Sequence, residues 1–302
     1  MKKNLVIGGL GFIGSALVQL LEEKGEEVII TTQSSIENKK ANIISAQYNL
    51  ESFKIILKEN EFKDVYFLSG NSYPKNSENN FLLDFTLLNI PFFSLLEAMK
   101  ELEFKGNCWF ASSVAVYGGV VKDIQSETDE CFPLSNYGVS KLNAEEYVKY
   151  FSRVHQINCG VFRIFSTYGG GLKRQLIYDI YTKIKANPME INLFGTGNEA
   201  RDFSYVYDQA EKMVLIANQV APTGDIFNIG SGKLYTVTDV VTLITNHLKI
   251  YPKVNFPNSI RKFDGVHWKA NISKLENLGY SGERTFKEGL MKTIADFENK
   301  NS

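Results

Sequence analysis

The sequence predicts an α/β fold, a doubly wound parallel sheet covered by helices on both faces, with a smaller, discontinuous C-terminal α/β lobe. Three observations carry this reading. Short apolar strands alternate with helical stretches through the first half of the chain, the pattern that builds a sheet buried on both sides. The first strand runs straight into a glycine-rich turn. And 302 residues, 44% of them hydrophobic, suffice for one large core or two modest ones.

The elements follow in order. Asn4-Leu5-Val6-Ile7 reads as a short buried strand, and Gly8-Gly9-Leu10-Gly11-Phe12-Ile13-Gly14 leads into Ser15–Leu21, apolar at helical spacing. Gly8, Gly11 and Gly14 form Gly-x-x-Gly-x-x-Gly: a tight turn, a close approach to a pyrophosphate, and close helix packing. The helix start offers free N–H groups and a positive dipole end to phosphates. Gly25 ends that helix, and Val28–Thr31 is the second strand. Asp64–Leu68 is another strand, ending in the loop Ser69-Gly70-Asn71-Ser72. A long helix spans about 81–103, and Asn107–Ala111 is the strand that delivers Ser112 and Ser113. A helix from about Tyr137 to His155 precedes the strand Cys159–Phe165. Ligands of such sheets lie beyond the carboxyl ends of the strands.

Composition excludes several classes. Thirty-three basic against 34 acidic residues give a net charge of -1, so nothing indicates a nucleic-acid or membrane patch. No run of eighteen apolar residues predicts a span. Lys2-Lys3 before an apolar run imitates a secretory signal, but four glycines break the run and Glu22-Glu23 follow it, so a cytoplasmic protein is expected. Cys108, Cys131 and Cys159 lack metal or redox spacing; Cys108 and Cys159 are expected as buried thiols. His155, His247 and His267 are scattered, so no metal site is expected.

Tyr137 and Lys141 stand four apart in Tyr137-Gly138-Val139-Ser140-Lys141, one turn from each other on a helix face. An ammonium there is expected to favour the phenolate and draw the phenol from about 10 towards neutrality. Such a tyrosine exchanges a proton with a sugar hydroxyl. Alone the pair means little; preceded by Ser112-Ser113 and the glycine turn, it reads as a proton-handling redox site.

With these motifs in place, the chain resembles the extended short-chain dehydrogenase/reductases, in the NAD-dependent epimerase/dehydratase branch that acts on nucleotide sugars. The likeness covers nearly the whole chain. Besides the glycine turn and Tyr137–Lys141 it rests on Ser112-Ser113-Val114-Ala115-Val116-Tyr117-Gly118 and Arg201-Asp202-Phe203-Ser204-Tyr205-Val206-Tyr207-Asp208. Phe227-Asn228-Ile229-Gly230-Ser231-Gly232 and Arg261-Lys262-Phe263-Asp264 are later matches.

The resemblance implies an enzyme with a Rossmann-type domain over 1–166 and 203–228 and a nucleotide-sugar lobe over 167–202 and 229–302. It implies Tyr137 as acid/base, Lys141 as the residue that tunes it and holds the nicotinamide ribose, and Ser113, ahead of Ser112, as the hydroxyl on the reacting oxygen. NAD or NADP is expected against Gly8, Gly11, Phe12, Ile13, Gly14, Thr32, Asn49, Leu50, Leu68, Ser69, Gly70, Ser112, Tyr137 and Lys141. Substrate contacts are expected from Ser72, Ser113, Tyr137, Ser166, Phe194, Arg201, Arg261, Asp264 and Trp268. Arg201 and Arg261 would clamp the diphosphate, Phe194 would pack on the base, and Trp268 would either narrow the sugar pocket or simply pack.

Departures from the family pattern limit the reading. The acid that usually ends strand two is Thr32, followed by Gln33, Ser34 and Ser35, which leaves NAD versus NADP open. Val114-Ala115 replace the acidic pair of the 4,6-dehydratases, so dehydration is not expected. Ser166 stands where an Asn is usual. What remains is C4 epimerisation of an NDP-hexose, a UDP-sugar, through a transient 4-ketone, or NADPH-dependent reduction of an NDP-4-keto-6-deoxy sugar; a non-catalytic NAD(P)-binding sensor is a third reading. Polysaccharide assembly would be the setting. A homodimer through a four-helix bundle is implied, with the helices near 81–103 and 137–155 as candidates; Leu142, Val148 and Phe151 offer an apolar stripe, which a helix packing on its own sheet would show equally.

Overall fold

A computed structural model describes residues 2–34, 42–71, 78, 80, 82–119, 122–257, 267–282 and 284–299. The strands are β1 (Lys3–Ile7), β2 (Val28–Thr32), β3 (Ile43–Ser45), β4 (Phe62–Phe67), β5 (Asn107–Ser113) and β6 (Asn158–Ile164). After them come β7 (Ser166–Tyr168), β8 (Glu190–Asn192), β9 (Ala200–Tyr205), β10 (Ile226–Ile229), β11 (Leu234–Thr236) and β12 (Lys253–Asn255). The helices of the first half are α1 (Phe12–Glu23), α2 (Leu50–Glu59), α3 (Leu82–Asp84), α4 (Ile90–Glu101) and α5 (Asn136–His155). Those of the second are α6 (Gln175–Ala186), α7 (Val206–Gln219), α8 (Val237–Leu248), α9 (Ser273–Asn277) and α10 (Phe286–Asn299).

A seven-stranded sheet in the order β10-β6-β5-β4-β1-β2-β3 forms the centre. All its pairings are parallel. The strands are apolar on both sides, and period-two alternation sends their side chains to opposite layers. Leu5, Ile7, Val65, Phe67, Cys108 and Phe110 enter one core with Phe53 of α2, Leu95 of α4 and Val148 of α5. Val6, Ile30, Tyr66, Trp109 and Phe162 enter the other, with Leu17 of α1 and Met213 of α7. Trp109 and Phe162 stack there with centroids 4.8 Å apart. This second core continues without a break to Ile177, Ile191, Leu275 and Phe297, so one apolar body joins the sheet to the C-terminal elements.

Those elements carry two small sheets, β11-β9-β7 and β12-β8. Asp202 of β9 ties them down. Its buried carboxylate accepts hydrogen bonds from the Ser231 amide at 2.7 Å, the Ser231 hydroxyl at 2.7 Å, and the Gly232 and Ala270 amides at 2.9 Å each. Lys212 reaches Ser204 Oγ at 2.8 Å and the Gly230 carbonyl at 2.6 Å.

Two features depart from the sequence-based expectation. The long helix is not uniform: α3 passes through a π-helical segment, Phe85–Asn89, into α4. A locally underwound ladder of this kind often marks a functional site. The span Leu82–Glu101 is long and apolar enough, by length and composition, to cross a membrane, yet half of it is buried in the fold, where Phe92, Leu95, Leu96 and Met99 pack. The apolar stripe read on the second helix also faces inward: Val148 and Phe151 join the core, and Leu142 packs beside Val114 and Tyr117. A helix lying on its own sheet presents the same spacing as one that dimerises. Cys108 and Cys159 are buried free thiols on paired strands, as expected.

Replacing Asp202 by Ala would orphan three buried amides at once. Each orphan costs about 1–3 kcal/mol, so Asp202→Ala is expected to lower unfolding free energy by roughly 3 kcal/mol or more, read as a fall in the urea midpoint with an unchanged slope.

Candidate active site

Strand β1 is flanked by β2 and β4, so the sheet reverses its winding there, and a crevice opens beyond the carboxyl ends of β1 and β4. Gly8 sits at that edge with φ +85, and a Cβ on it would lie 2.9 Å from the Ser69 amide nitrogen. A Cβ on Gly14 would stand 2.2 Å from the Gly8 carbonyl oxygen. The turn is therefore closed by backbone-to-backbone approach that a side chain would prevent. Gly11 begins α1 with no side-chain cap, and no acid occupies the first turn. Its amides are left for an anionic guest.

A cavity of about 650 Å³ opens from this turn. Gly8, Gly11, Phe12, Ile13, Gly14, Leu68, Ser69 and Gly70 line one end. Ser112, Ser113, Tyr137, Lys141, Ser166 and Trp268 line the other. Ser113, Tyr137 and Lys141 thus share one space with the glycine turn, although Ser113 ends β5 and the other two begin α5. Local structure explains the meeting. Ser135 caps α5 by accepting from the Gly138 amide at 3.1 Å. Gly138 lets the helix start approach the 114–116 turn, since a Cβ there would lie 2.6 Å from the Ala115 carbonyl.

Strand alternation divides the two serines. Ser112 donates its hydroxyl to Glu145 at 2.5 Å, inside a buried ion pair of Glu145 with Arg163 at 2.7 Å. Ser113 instead hydrogen-bonds Tyr137, and its oxygen also accepts from the Ala115 amide at 3.2 Å. Lys141 donates to the Ala111 carbonyl at 2.5 Å, with its nitrogen 4.9 Å from the Phe110 ring centre and 5.7 Å from that of Tyr137.

The electrostatics correct the sequence reading. Burial pushes the Tyr137 phenol up to about 12; the Ser113 hydrogen bond opposes this, Asp84 adds to it and Arg174 opposes it. Burial also pushes Lys141 down to about 8, against the raising influence of Asp84 and Glu145. Both charged forms lose their hydration in the same crevice. Proximity to Lys141 alone therefore does not bring the phenol towards neutrality.

A second cavity, about 470 Å³, adjoins the first along Ser166, Thr167, Leu172, Arg174 and Gln175. Phe194 and Arg201 line it. Phe194 is 54% exposed and lies under Lys183, whose nitrogen is 5.6 Å from its ring centre. An exposed aromatic face can stack on a planar ring. Arg201 bridges by backbone to Trp268 and holds its guanidinium 5.8 Å from the indole. Trp268 donates to the Gly118 carbonyl at 3.3 Å, so it both packs and walls the first cavity.

Other expected residues fall elsewhere. Thr32 ends β2 and accepts from the Ser34 amide at 3.2 Å. Asn49 caps α2 by accepting from the Ser52 amide at 2.9 Å, and Leu50 opens that helix. None of these three lines either cavity. Ser72, Arg261 and Asp264 lie outside the described residues. The sequence reading missed Arg174, which lines both cavities at the start of α6. Its one signal is a basic residue closely following Gly169-Gly170-Gly171 beyond β7. Among the described residues no cluster of His, Cys, Asp and Glu could hold a metal.

Comparison with known proteins agrees with this geometry. The profile of the NAD dependent epimerase/dehydratase family matches residues 4–230. A putative UDP-glucose 4-epimerase of Methanocaldococcus jannaschii is 28% identical, over 98% of this chain and 99% of its own. The structure of a Thermotoga maritima UDP-glucose 4-epimerase with UDP-glucose superposes with a TM-score of 0.87 at 26% identity, covering 99% of this chain and 100% of that one. The structure of MoeE5 with UDP-glucose and NAD gives the same score, 0.87, the same identity, 26%, and the same coverage, 99% and 100%.

Gly14→Ala is expected to push the Gly8 carbonyl out of the turn and weaken dinucleotide binding by about tenfold or more, the size of a 1–3 kcal/mol overpacking cost. Calorimetric titration with NAD⁺ checks this.

Proposed function

The chain belongs to the NAD-dependent epimerase/dehydratase family, and on that footing we propose that it inverts C4 of a UDP-hexose through a transient 4-keto sugar, with NAD as resident cofactor. The single observation that carries the proposal is the convergence of Ser113, Tyr137 and Lys141 with the glycine turn in one cavity. The fit to NAD rests on the turn itself: Gly8 and Gly14 let its backbone close up where a Cβ would collide, and the uncapped start of α1 lines the same cavity. The relatives whose structures hold UDP-glucose, with NAD in one of them, support the same assignment.

Each residue then has a task. Held by the glycine turn and Lys141, NAD would supply a hydride acceptor and donor at C4, and its cationic oxidised ring would favour the phenolate of Tyr137. Tyr137 takes the C4 hydroxyl proton as hydride leaves and gives it back on reduction. Ser113 holds the oxygen through both passages. Lys141 binds the ribose and supplies positive charge beside the phenol. Arg201, with Arg174 next to it along the second cavity, neutralises the diphosphate, and Phe194 offers its exposed face to the uracil. Trp268 bounds the hexose. The apolar Val114 and Ala115 after Ser113 supply no acid for expelling a hydroxyl, which separates this site from the dehydratases.

One observation favours a second reading. β2 ends in Thr32, followed by Gln33 and Ser34, with no carboxylate to select against a 2′-phosphate. A reductase consuming NADPH would use the same trio. A cofactor-binding sensor would have no use for it.

The dimer belongs to the same proposal but on different residues from those first read. Tyr147, Tyr150 and Val154 are exposed on one face of α5. Phe93 of α4 meets Tyr147 with ring centres 4.1 Å apart, and Ile90 is exposed on the same helix. Pairing this face with its copy would build a four-helix bundle. Free thiols at Cys108, Cys131 and Cys159 suit the cytoplasm.

Interconversion of UDP-glucose and UDP-galactose without added cofactor, with NAD⁺ retained on purification, is the expected result; consumption of NADPH by a 4-keto-6-deoxy sugar nucleotide alone would give the second reading. Tyr137→Phe should cut turnover by about 10²–10⁴-fold while leaving cofactor affinity nearly intact, and near-normal turnover would remove Tyr137 from its role. The double change Tyr147→Glu with Tyr150→Glu should yield monomers by light scattering.

A further inference from the structure

Asp84 ends α3, immediately before the π-helical segment, and is fully buried. Neither of its carboxylate oxygens has a hydrogen-bond partner among the described residues. An acid without such partners is costly to bury unless another charge compensates it. The segment it introduces packs on α5. Asn89, the last π-helical residue, donates to the Ser140 carbonyl at 2.9 Å, one residue before Lys141. Asp84 is thereby held beside the first turns of α5, near a lysine that is itself 6% exposed and has given one of its three donors to Ala111.

One of the other charges around this lysine is already matched. Glu145, one turn further along α5, is paired with Arg163 of β6. Tyr137 shares the helix with Lys141, and Arg174 opens α6 across the cleft. Glu145 and Asp84 are the two acids that act on Lys141, and among the described residues only Glu145 has a guanidinium of its own.

We propose that Asp84 is a positioning residue for the reaction: its carboxylate is the buried counter-charge that keeps Lys141 an ammonium beside Tyr137. The π-helical segment is the local distortion that sets it there. With Lys141 pushed down to about 8 by burial, the ammonium is only just held at neutral pH, so removing Asp84 would leave much of it neutral. The sign is fixed. An acid nearby raises a lysine, its loss lowers it, and the alkaline limb of the rate profile moves towards lower pH.

This deepens the epimerase reading, but its test does not depend on turnover. Protein carrying ¹³Cε-lysine is titrated by NMR, with the Lys141 resonance assigned by its loss in Lys141→Arg. Asp84→Asn is expected to lower the Lys141 midpoint by about one unit, as for loss of an opposite charge at close range. Asp84→Glu is expected to restore it. If the amide variant does not fold, Asp84→Leu, which fills the place without charge, serves the same comparison. A midpoint that stays where it is in the wild type overturns the proposal. In active protein, kcat/KM of Asp84→Asn should fall at pH 8 and recover at pH 6; a uniform loss at both would mark a merely structural role and overturn it too. A shifted midpoint in a chain that epimerises nothing would keep this inference and sink the reaction instead.

Discussion

The site depends on one buried ion pair. Glu145 on α5 and Arg163 on β6 meet at 2.7 Å with almost no exposure, and Ser112 at the end of β5 donates into the same carboxylate. Three elements are thereby fixed to one another: the strand that delivers Ser113, the helix that carries Tyr137 and Lys141, and the strand between them and the sheet edge. The Arg163 guanidinium also lies 4.8 Å from the Tyr117 ring centre, and the Tyr117 hydroxyl donates to Asn228 at 2.7 Å, which extends the lock to β10. Such a pair adds little net stability against an apolar replacement, but breaking one partner is severe. Its value here is geometric, since acid/base chemistry tolerates little slack between the reacting groups.

That geometry is set in a medium that resists charge. The phenol is driven up and the ammonium down, each chiefly by loss of water. A resting pair in its neutral-phenol form suits a site that must switch charge only when a guest brings its own. The two cavities differ in electrostatics as well as in shape: the uncapped start of α1 borders the first, and Arg174 and Arg201 line the second.

Much of this was legible in the residues. The strands alternate with helices, the glycines recur every third position, and the trio falls at the strand and helix ends where such folds bind ligands. Period-two burial on both faces confirms why those runs were apolar without being amphipathic. Arg174 escaped because its local pattern marks it only as a basic residue after three glycines; the folding of α6 over the cleft brings it there. The π-helical segment has no sequence signature, as an underwound ladder depends on tertiary packing around Asp84 and Asn89. The direction of the Tyr137 shift was misjudged because spacing reveals a neighbour, whereas burial requires the whole fold. The inward stripe on α5 stayed open between two readings for the same reason: three apolar residues on one face do not say which surface they meet.

The Asp202 hub has a consequence for how the molecule is made. Its carboxylate gathers amides from Ser231, Gly232 and Ala270, the last 68 positions further along. During synthesis the strands β1 to β6 are complete by residue 164, so the dinucleotide half can begin to assemble early. The second cavity must wait for still later residues, since Thr293 and Phe297 help to line it and contacts of such long sequence separation form late. Nascent chains would therefore gain the glycine turn before they gain that second cavity.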